Sequence, residues 1–367
     1  MRLIFATGGT GGHIFPAIAI ANEAKRRGYE AIFLGHESGM EAELVPQAGF
    51  QFHGVPAGKW DRQKPDPRQF LRAWEGQTDA VKLLKQLKPA LVIGFGGFAS
   101  LPGVAAARWL RLPYMLHEAN AYPGLVTRFF ARAAKTVVIS QDVTAKHLNT
   151  HHTIAIGYPV REMHVEKSHA RQELGLPADA VVTFVMGGSQ GSLFLNNAVP
   201  SAFQNLNAET IVLHSAGKRW EDNVKTQTES FKNYIVRGFV DSVLAWSAAD
   251  LAITRAGFGT LSEAAFHGVP TIMVPLSTSA DNHQLHNANA VANAGAGWVV
   301  EEKDSEGLAQ VWEKALVKDD RDDASRAAKS RSPKGATSSF VNVIDGLLSP
   351  KLAKVLWERK QELGIRN

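Results

Sequence analysis

Cysteine is absent from this chain of 367 residues. That excludes disulfides, thiolate nucleophiles and Cys-based zinc or iron–sulfur centres. Long apolar runs are missing as well. After Arg2 the apolar stretch covers only Leu3–Ala6, far short of a signal-peptide core. Nothing approaches the roughly 18 apolar residues that a bilayer span requires. The expected location is therefore the cytosol, with contact to a membrane surface left open. Metal-ligand spacing is also scarce. The 13 histidines contain no H-E-x-x-H pattern, and Asp320-Arg321-Asp322 lies in a polar run rather than behind a strand. No metal site is expected. Neither low-complexity segments nor short repeats occur.

What is present is an ordinary globular balance, with 45% hydrophobic and 20% charged residues. The length suggests two domains, each able to bury a core. Charge is unevenly shared. Residues 1–158 hold 18 Lys/Arg against 11 Asp/Glu, a net +7, while the rest holds 22 against 24. A basic half suits anionic partners, although composition alone fits a solvated surface equally well.

Short apolar runs alternate with helical stretches. Leu3–Ala6, Ala31–Leu34, Leu91–Gly94, Pro113–Leu116 and Thr136–Ile139 read as strands, and Phe15–Arg27 as a helix behind a Gly8–Gly12 loop. The pattern restarts at Val181–Met186 and continues through Ile211–His214, Ile235–Val236, Leu251–Thr254, Thr271–Val274 and Trp298–Val300. Continuous Val/Ile/Leu runs indicate buried parallel sheets. Strand, glycine loop and helix thus occur twice, which two α/β domains explain better than one sheet. The linker is placed near Gly157–Arg161. Asp319–Lys334 reads as a polar helix with a loop, and Phe340–Gln361 as a terminal helix.

The loops carry the chemistry. Gly8-Gly9-Thr10-Gly11-Gly12-His13 and Gly187-Gly188-Ser189-Gln190-Gly191 each follow a strand and open a helix. Glycines let a ligand approach the backbone amides, and the helix start adds positive potential. Each loop suits a phosphate or a polar sugar. Neither is a G-x-x-x-x-G-K-[ST] loop, and the first lacks G-x-G-x-x-G spacing, which disfavours a P-loop ATPase and a nicotinamide enzyme. Glu30 keeps the second of these open as a ribose-binding acid. Arg255–Glu263 (RAGFGTLSE) also runs from a strand into a helix. Glu263 has two acceptor oxygens for a pair of ribose hydroxyls, or it simply balances the helix dipole. Asp281-Asn282-His283-Gln284 offers amide and imidazole groups to sugar hydroxyls, or caps a helix through Asp281.

Together the motifs GGTGGH (8–13), GFGGF (94–98), HEAN (117–120), PVR (159–161), GGSQG (187–191), RAGFGTLSE (255–263) and DNHQLHNA (281–288) resemble the MurG family of peptidoglycan GlcNAc transferases. The resemblance implies an α/β GT-B fold, two Rossmann-like domains with parallel sheets facing across a cleft. An N-terminal, acceptor- and membrane-facing domain would cover 1–158, a UDP-GlcNAc-binding domain 159–339, and a C-terminal helix at about 340–367 would pack back on the first. It further implies that Glu263 binds ribose and that Ser189 with the Phe258-Gly259-Thr260-Leu261 turn holds the pyrophosphate. Ser262 and Arg161 join the donor contacts. The backbone of Val240 reads uracil, Gln284 with His283 reads the GlcNAc hydroxyls, and Thr10, Gly11, Gly12 and Asn120 approach the sugar and diphosphate. The implied reaction inverts the anomeric carbon. The MurNAc 4-hydroxyl of undecaprenyl-pyrophosphoryl-MurNAc-pentapeptide attacks, and UDP leaves.

The attack needs a base near neutral pH. His13 is the first candidate and Glu118 the second, with a loop-capping or loop-orienting role as the alternative for His13. Helix starts and Arg161 can neutralise the leaving diphosphate without a metal, so no cofactor is expected. Phe70, Leu71 and Trp74, among basic residues of segment 68–88, are the expected contacts with an anionic phospholipid surface. The expected site of action is the cytoplasmic face of the inner membrane, held peripherally, with no nucleic-acid partner. The chain departs from the family pattern at Ala119 (Gln in the family), Tyr158 (Asn), Phe98 (Tyr) and Thr278 (His). Another GT-B enzyme, such as a glycolipid transferase or UDP-GlcNAc epimerase, is the alternative. An inactive membrane-bound scaffold is the reading from a different class.

Overall fold

A computed structural model of the chain describes residues 1–58, 68–150, 152–188, 190–279 and 282–349. The side chains of residues 68–71 and of Ser305 lie outside the described part. The chain divides into two compact units, Met1–Pro159 with the residues from Gly335 onward, and Val160–Lys334.

The first unit alternates strand and helix: β1 (Arg2–Ala6), α1 (Gly11–Arg26), β2 (Glu30–His36), α2 (Glu41–Gln47), β3 (Gln51–Val55), α3 (Arg68–Leu87), β4 (Leu91–Gly94), α4 (Gly97–Trp109), β5 (Tyr114–Glu118), α5 (Leu125–Phe130), β6 (Val137–Ile139) and β7 (Thr153–Ala155). The seven strands form one parallel sheet in the order β3-β2-β1-β4-β5-β6-β7. Strand periodicity sorts the side chains of β1 onto two faces. Leu3 and Phe5 join Phe33, Ile93 and the α1 residues Ile14 and Ile20 in one core, and Ile4 and Ala6 join Leu34, Val92 and Val104 in the other. Both faces are covered, so the central strands are mostly apolar, with His117 and Glu118 at the carboxyl end of β5 as the buried polar exceptions.

The second unit repeats the scheme with α6 (Lys167–Leu174), β8 (Val182–Met186), α7 (Leu193–Gln204), β9 (Ile211–Ser215), α8 (Glu221–Gln227), β10 (Tyr234–Arg237), α9 (Ser242–Ala248), β11 (Leu251–Thr254), α10 (Phe258–His267), β12 (Thr271–Met273), α11 (His283–Asn293), β13 (Gly297–Val299), α12 (Ser305–Leu316) and α13 (Lys318–Ser330). Its six strands are parallel in the order β10-β9-β8-β11-β12-β13. The last described helix, α14 (Ala336–Leu348), belongs to the first unit. There Phe340, Val341 and Ile344 are fully buried in the core that holds Phe5 and Phe95.

In each sheet the strand order reverses beside the first strand of its unit. β1 lies between β2 and β4, and β8 between β9 and β11. The glycine loops leave the carboxyl ends of these two strands, the switch points where open α/β sheets bind ligands.

Two expectations need correction. Strands β3 and β7, the edges of their sheet, add to the strands expected from apolar runs, because neither contains such a run. β3 has a polar sequence, QFHGV, and β7 has three residues of which two are exposed. Helix α1 begins at Gly11 rather than Phe15, because Thr10 serves as N-cap and its carbonyl takes the first hydrogen bonds from His13 and Ile14. Gly11 and Gly12 are therefore helical.

Candidate functional site

Two glycine-rich segments of the first unit meet at His13. Gly8 and Gly9 adopt positive φ (146° and 84°), which a side chain would strain. The turn they make brings His13 onto the first turn of α1, where its Nδ1 lies 3.1 Å from Thr10 Oγ1. Gly96 and Gly97, also at positive φ, lie under the imidazole. A Cβ at Gly97 would come within 3.2 Å of the ring. Burial lowers the His13 pKa, while the Glu118 charge, a hydrogen bond with the Gly8 carbonyl and the Glu41 charge oppose that fall. The amides of Gly11 and Gly12, in the unbonded first turn of the helix, have no partner among the described residues.

Glu118 ends β5 and organises the loop beyond it. Its Oε1 accepts from the backbone and side-chain nitrogens of Asn120 (both 3.0 Å), and Oε2 accepts from Gly124 N (3.0 Å). Thr144 Oγ1 and Gln141 Nε2 donate to the carbonyls of Asn120 and Ala119. The Asn120 side chain is thus fixed by its amide nitrogen. His117, one residue before Glu118, is buried and held at a pKa of about 3, first by desolvation and then by neighbouring His13. Its ring packs against Phe95, Tyr158 and Phe340, which makes it a core residue. Tyr158 has a local role. Pro16 lacks the N–H that would bond Gly12 C=O within α1, and the Tyr158 hydroxyl donates there instead at 2.8 Å.

In the second unit several of the candidate residues lie on or beside α10. The amides of Gly259 and Thr260 at its start are unpartnered among the described residues, whereas Leu261 N–H bonds Gly257 C=O. The Leu261 side chain is core, and Ser262 Oγ donates back to Phe258 C=O (2.8 Å). These two side chains face the fold. Glu263 accepts from Trp246 Nε1 at 3.0 Å. Desolvation pushes its pKa up to about 7. The Trp246 hydrogen bond and Arg161 pull it down, and Asp241 pushes with burial. Arg161 pairs with Asp241 at 3.2 Å, and Asp241 caps α9 by accepting from Val243 N and Leu244 N. Val240, just before that cap, has no hydrogen bond on either backbone group among the described residues. Gln284 Oε1 accepts from Leu276 N (3.0 Å), and His283 precedes it at the start of α11. Ser189 and Asp281 lie outside the described residues.

Two residues with no assigned role prove central. Arg255 donates to Ser192 Oγ, the N-cap of α7, and to Val274 C=O, and pairs with Glu302. Glu302 in turn accepts from Ser277 N and Oγ. One guanidinium thereby ties the loops after β8, β11 and β12 together. Glu41, buried behind the first glycine loop, is the other. A charged side chain gives no sequence signal of burial, and the only hint was the glycines around it. Among the described residues no group of three His, Asp or Glu is placed to hold a metal.

Residues 3–139 match the glycosyltransferase family 28 N-terminal domain, and residues 182–345 its C-terminal domain. The chain is 43% identical to the UDP-N-acetylglucosamine–N-acetylmuramyl-(pentapeptide) pyrophosphoryl-undecaprenol N-acetylglucosamine transferase of Deinococcus radiodurans, over 94% of this chain and 95% of that one. The like-named Thermus thermophilus protein is 40% identical, over 94% and 100%. The solved MurG of Acinetobacter baumannii superposes with a TM-score of 0.74 at 27% identity, covering 94% of this chain and 99% of that one. The chain belongs to the MurG family. As a MurG-family member it is a glycosyltransferase of GT-B class, and its two parallel sheets are those of that fold. The family motifs 8–13, 94–98 and 117–120 meet in the first unit, and Arg161 of the motif 159–161 meets Glu263 of 255–263 in the second.

Proposed function

We propose that this chain transfers GlcNAc from UDP-GlcNAc to the MurNAc 4-hydroxyl of undecaprenyl-pyrophosphoryl-MurNAc-pentapeptide, forming the β-1,4-linked lipid disaccharide of peptidoglycan synthesis. One observation supports the reading: the start of α10 leaves the amides of Gly259 and Thr260 without a partner among the described residues, and the same helix carries the Glu263 carboxylate beside Trp246, Arg161 and Asp241. In this reading Val240 reads uracil, and Glu263 takes the ribose hydroxyls. The start of α10, with Ser189 and Arg161, holds the diphosphate, and His283 and Gln284 take the sugar.

His13 serves as base. Burial keeps its imidazole neutral and ready to accept, and the nearby carboxylates favour the imidazolium once formed. The acceptor O4–H gives its proton to His13, the new O4–C1 bond forms, and the C1–O bond to the β-phosphate breaks with its electron pair. The charge that develops on UDP meets the amides of α10 and Arg161, so the step needs no divalent metal. Glu118, with three donors on its carboxylate, acts through Asn120 and through its charge rather than as the proton acceptor.

The acceptor is lipid-linked, which calls for peripheral attachment to the cytoplasmic membrane face. None of the described helices is long and apolar enough to cross a membrane. Trp74, 73% exposed on α3, is the assigned phospholipid contact. Phe70 and Leu71 share that helix, with side chains outside the described part.

The test is transfer of radiolabelled GlcNAc to a synthetic lipid acceptor. The parent should release UDP only when acceptor is present, with or without chelator. His13→Ala should lose about 10²–10⁴-fold in rate while keeping UDP affinity, and Glu118→Ala should lose less. Acceptor-independent conversion of UDP-GlcNAc to its 2-epimer would replace this reading with the epimerase alternative.

A further inference from the structure

Glu41 is the least exposed carboxylate that the mechanism leaves unused, at 0% accessibility on the first residue of α2. No cation pairs with it among the described residues. Its partners are two backbone amides from separate segments. Gly9 N–H, in the first glycine loop, donates to Oε2 at 3.1 Å, and His36 N–H, at the end of β2, donates to Oε1 at 2.9 Å. Three glycines make its space. A Cβ at Gly8 or Gly39 would overlap the carboxylate, and one at Gly35 would meet its Cγ at 2.8 Å and Thr7 C=O at 2.5 Å. A buried carboxylate without a counter-charge is expensive, and neither a neutral amide nor an apolar side chain would carry that cost. Three chain segments have nonetheless given up side chains to accommodate this one.

The loop it grips leads directly into His13. We propose that Glu41 is a positioning residue for the transfer, fixing the Gly8–Gly9 turn from behind and supplying negative potential that favours the protonated His13 formed in the reaction. The inference rests on the reading of His13 as base. His13 is faced by Glu118 and His117 from β5, by Glu41 from α2, and by Thr10 and the Gly8 carbonyl from its own loop. Glu118 is the larger of the two acidic influences, and Glu41 adds to it from its place against the glycine turn. Because Glu41 also fixes Gly9, its removal moves both the geometry and the field.

Glu41→Gln separates this from a packing role. The amide keeps the volume, loses the charge, and cannot accept from both Gly9 and His36. Followed by NMR, the His13 imidazole should titrate lower in the variant, by about half a unit or more. Transfer at neutral pH should fall about tenfold, with the acid limb of the rate profile displaced the same way. UDP affinity, set in the second unit, should not change and reports folding. Glu41→Asp keeps the charge but is one methylene short. It should preserve the His13 titration and lose transfer only severalfold, and it carries the test if the Gln variant does not fold. An unmoved His13 midpoint in Glu41→Gln, or a parental transfer rate in Glu41→Asp, overturns the proposal. If instead the parent shows no acceptor-dependent transfer, or His13→Ala leaves rate and acid limb intact, the transferase reading has failed. The NMR titration needs no turnover and still decides the role of Glu41.

Discussion

Glu263 holds a carboxylate where desolvation resists its charge, which raises its pKa to about 7 even though Trp246 and Arg161 favour ionisation. Only the ionised form accepts from two ribose hydroxyls at once, so donor binding should expel the proton. UDP affinity is therefore expected to be about tenfold weaker at pH 6 than at pH 8, and calorimetry of Glu263→Gln should show weak, pH-independent binding. Stability follows the same linkage. The folded-state pKa lies above the unfolded value, so the contribution is complete below about pH 4.5 and fades as pH rises through about 7. Glu263→Gln should thus melt above the parent at pH 8 and lose that advantage near pH 4.5. A melting difference that grows toward acid would refute the assignment. Glu263 and His13 stand out as candidates in the sequence because their neighbours are glycines and turn residues in a recognisable order. Arg255 and Glu41 were not, because a buried charge looks like any surface charge until its partners, which are distant in sequence, fold around it. For Glu41 these are Gly9 and His36, and for Arg255 they are Ser192, Val274 and Glu302.

The elements show a parallel division. Strands β1, β4, β5, β8 and β11 lie inside their sheets, covered on both faces, and their unbroken apolar runs read correctly. The edges β3 and β7 face water on one side and contain His, Thr or Gly, so apolar periodicity could not find them. Helix α14 was visible as a terminal helix that the resemblance packs back on the first domain, yet the side chains it meets there are distant in sequence and carry no signal of their own. Arg27 donates to Ser338, Asn342 and Asp345, and Tyr29 donates to Asp345 at 2.6 Å. Beneath this polar seam Phe340 stacks on Phe95 and meets the edge of His117. Phe340→Ala would leave a cavity beside the strand that carries Glu118 and should destabilise the first unit by about 3–5 kcal/mol, read as a lower denaturant midpoint. UDP affinity should persist at low denaturant, because the residues proposed to bind the donor belong to the second unit. Equal losses of stability and UDP affinity would show that the two units do not unfold separately.

At the scale of the whole molecule, the two units share one architecture but differ in charge, and that difference motivates the membrane assignment. Net +7 on residues 1–158 gives the first unit long-range attraction to an anionic bilayer. By connectivity, α3 begins on the side of the sheet where the strands end, and there Trp74 presents an exposed indole suited to a lipid interface. A second basic feature lies at the opposite edge. A hollow of about 280 Å³ at the start of β5 is lined by Arg108, Arg111 and Lys135, beside exposed Trp109. The two locations make separable predictions. Binding to vesicles containing an anionic phospholipid should weaken steeply between 0.1 and 1 M salt, as the Debye length shrinks from about 10 Å to about 3 Å. If the α3 edge makes the contact, Trp74→Ser should reduce vesicle binding severalfold and slow transfer to a vesicle-embedded acceptor. Its transfer to a water-soluble acceptor should stay at the parental rate. Charge reversal at Arg111 and Lys135 should then cost only the general electrostatic attraction, about 1 kcal/mol per charge removed. Were that reversal to abolish binding while Trp74→Ser left it untouched, the membrane face would be the Arg108–Lys135 edge and the assignment of α3 would be wrong.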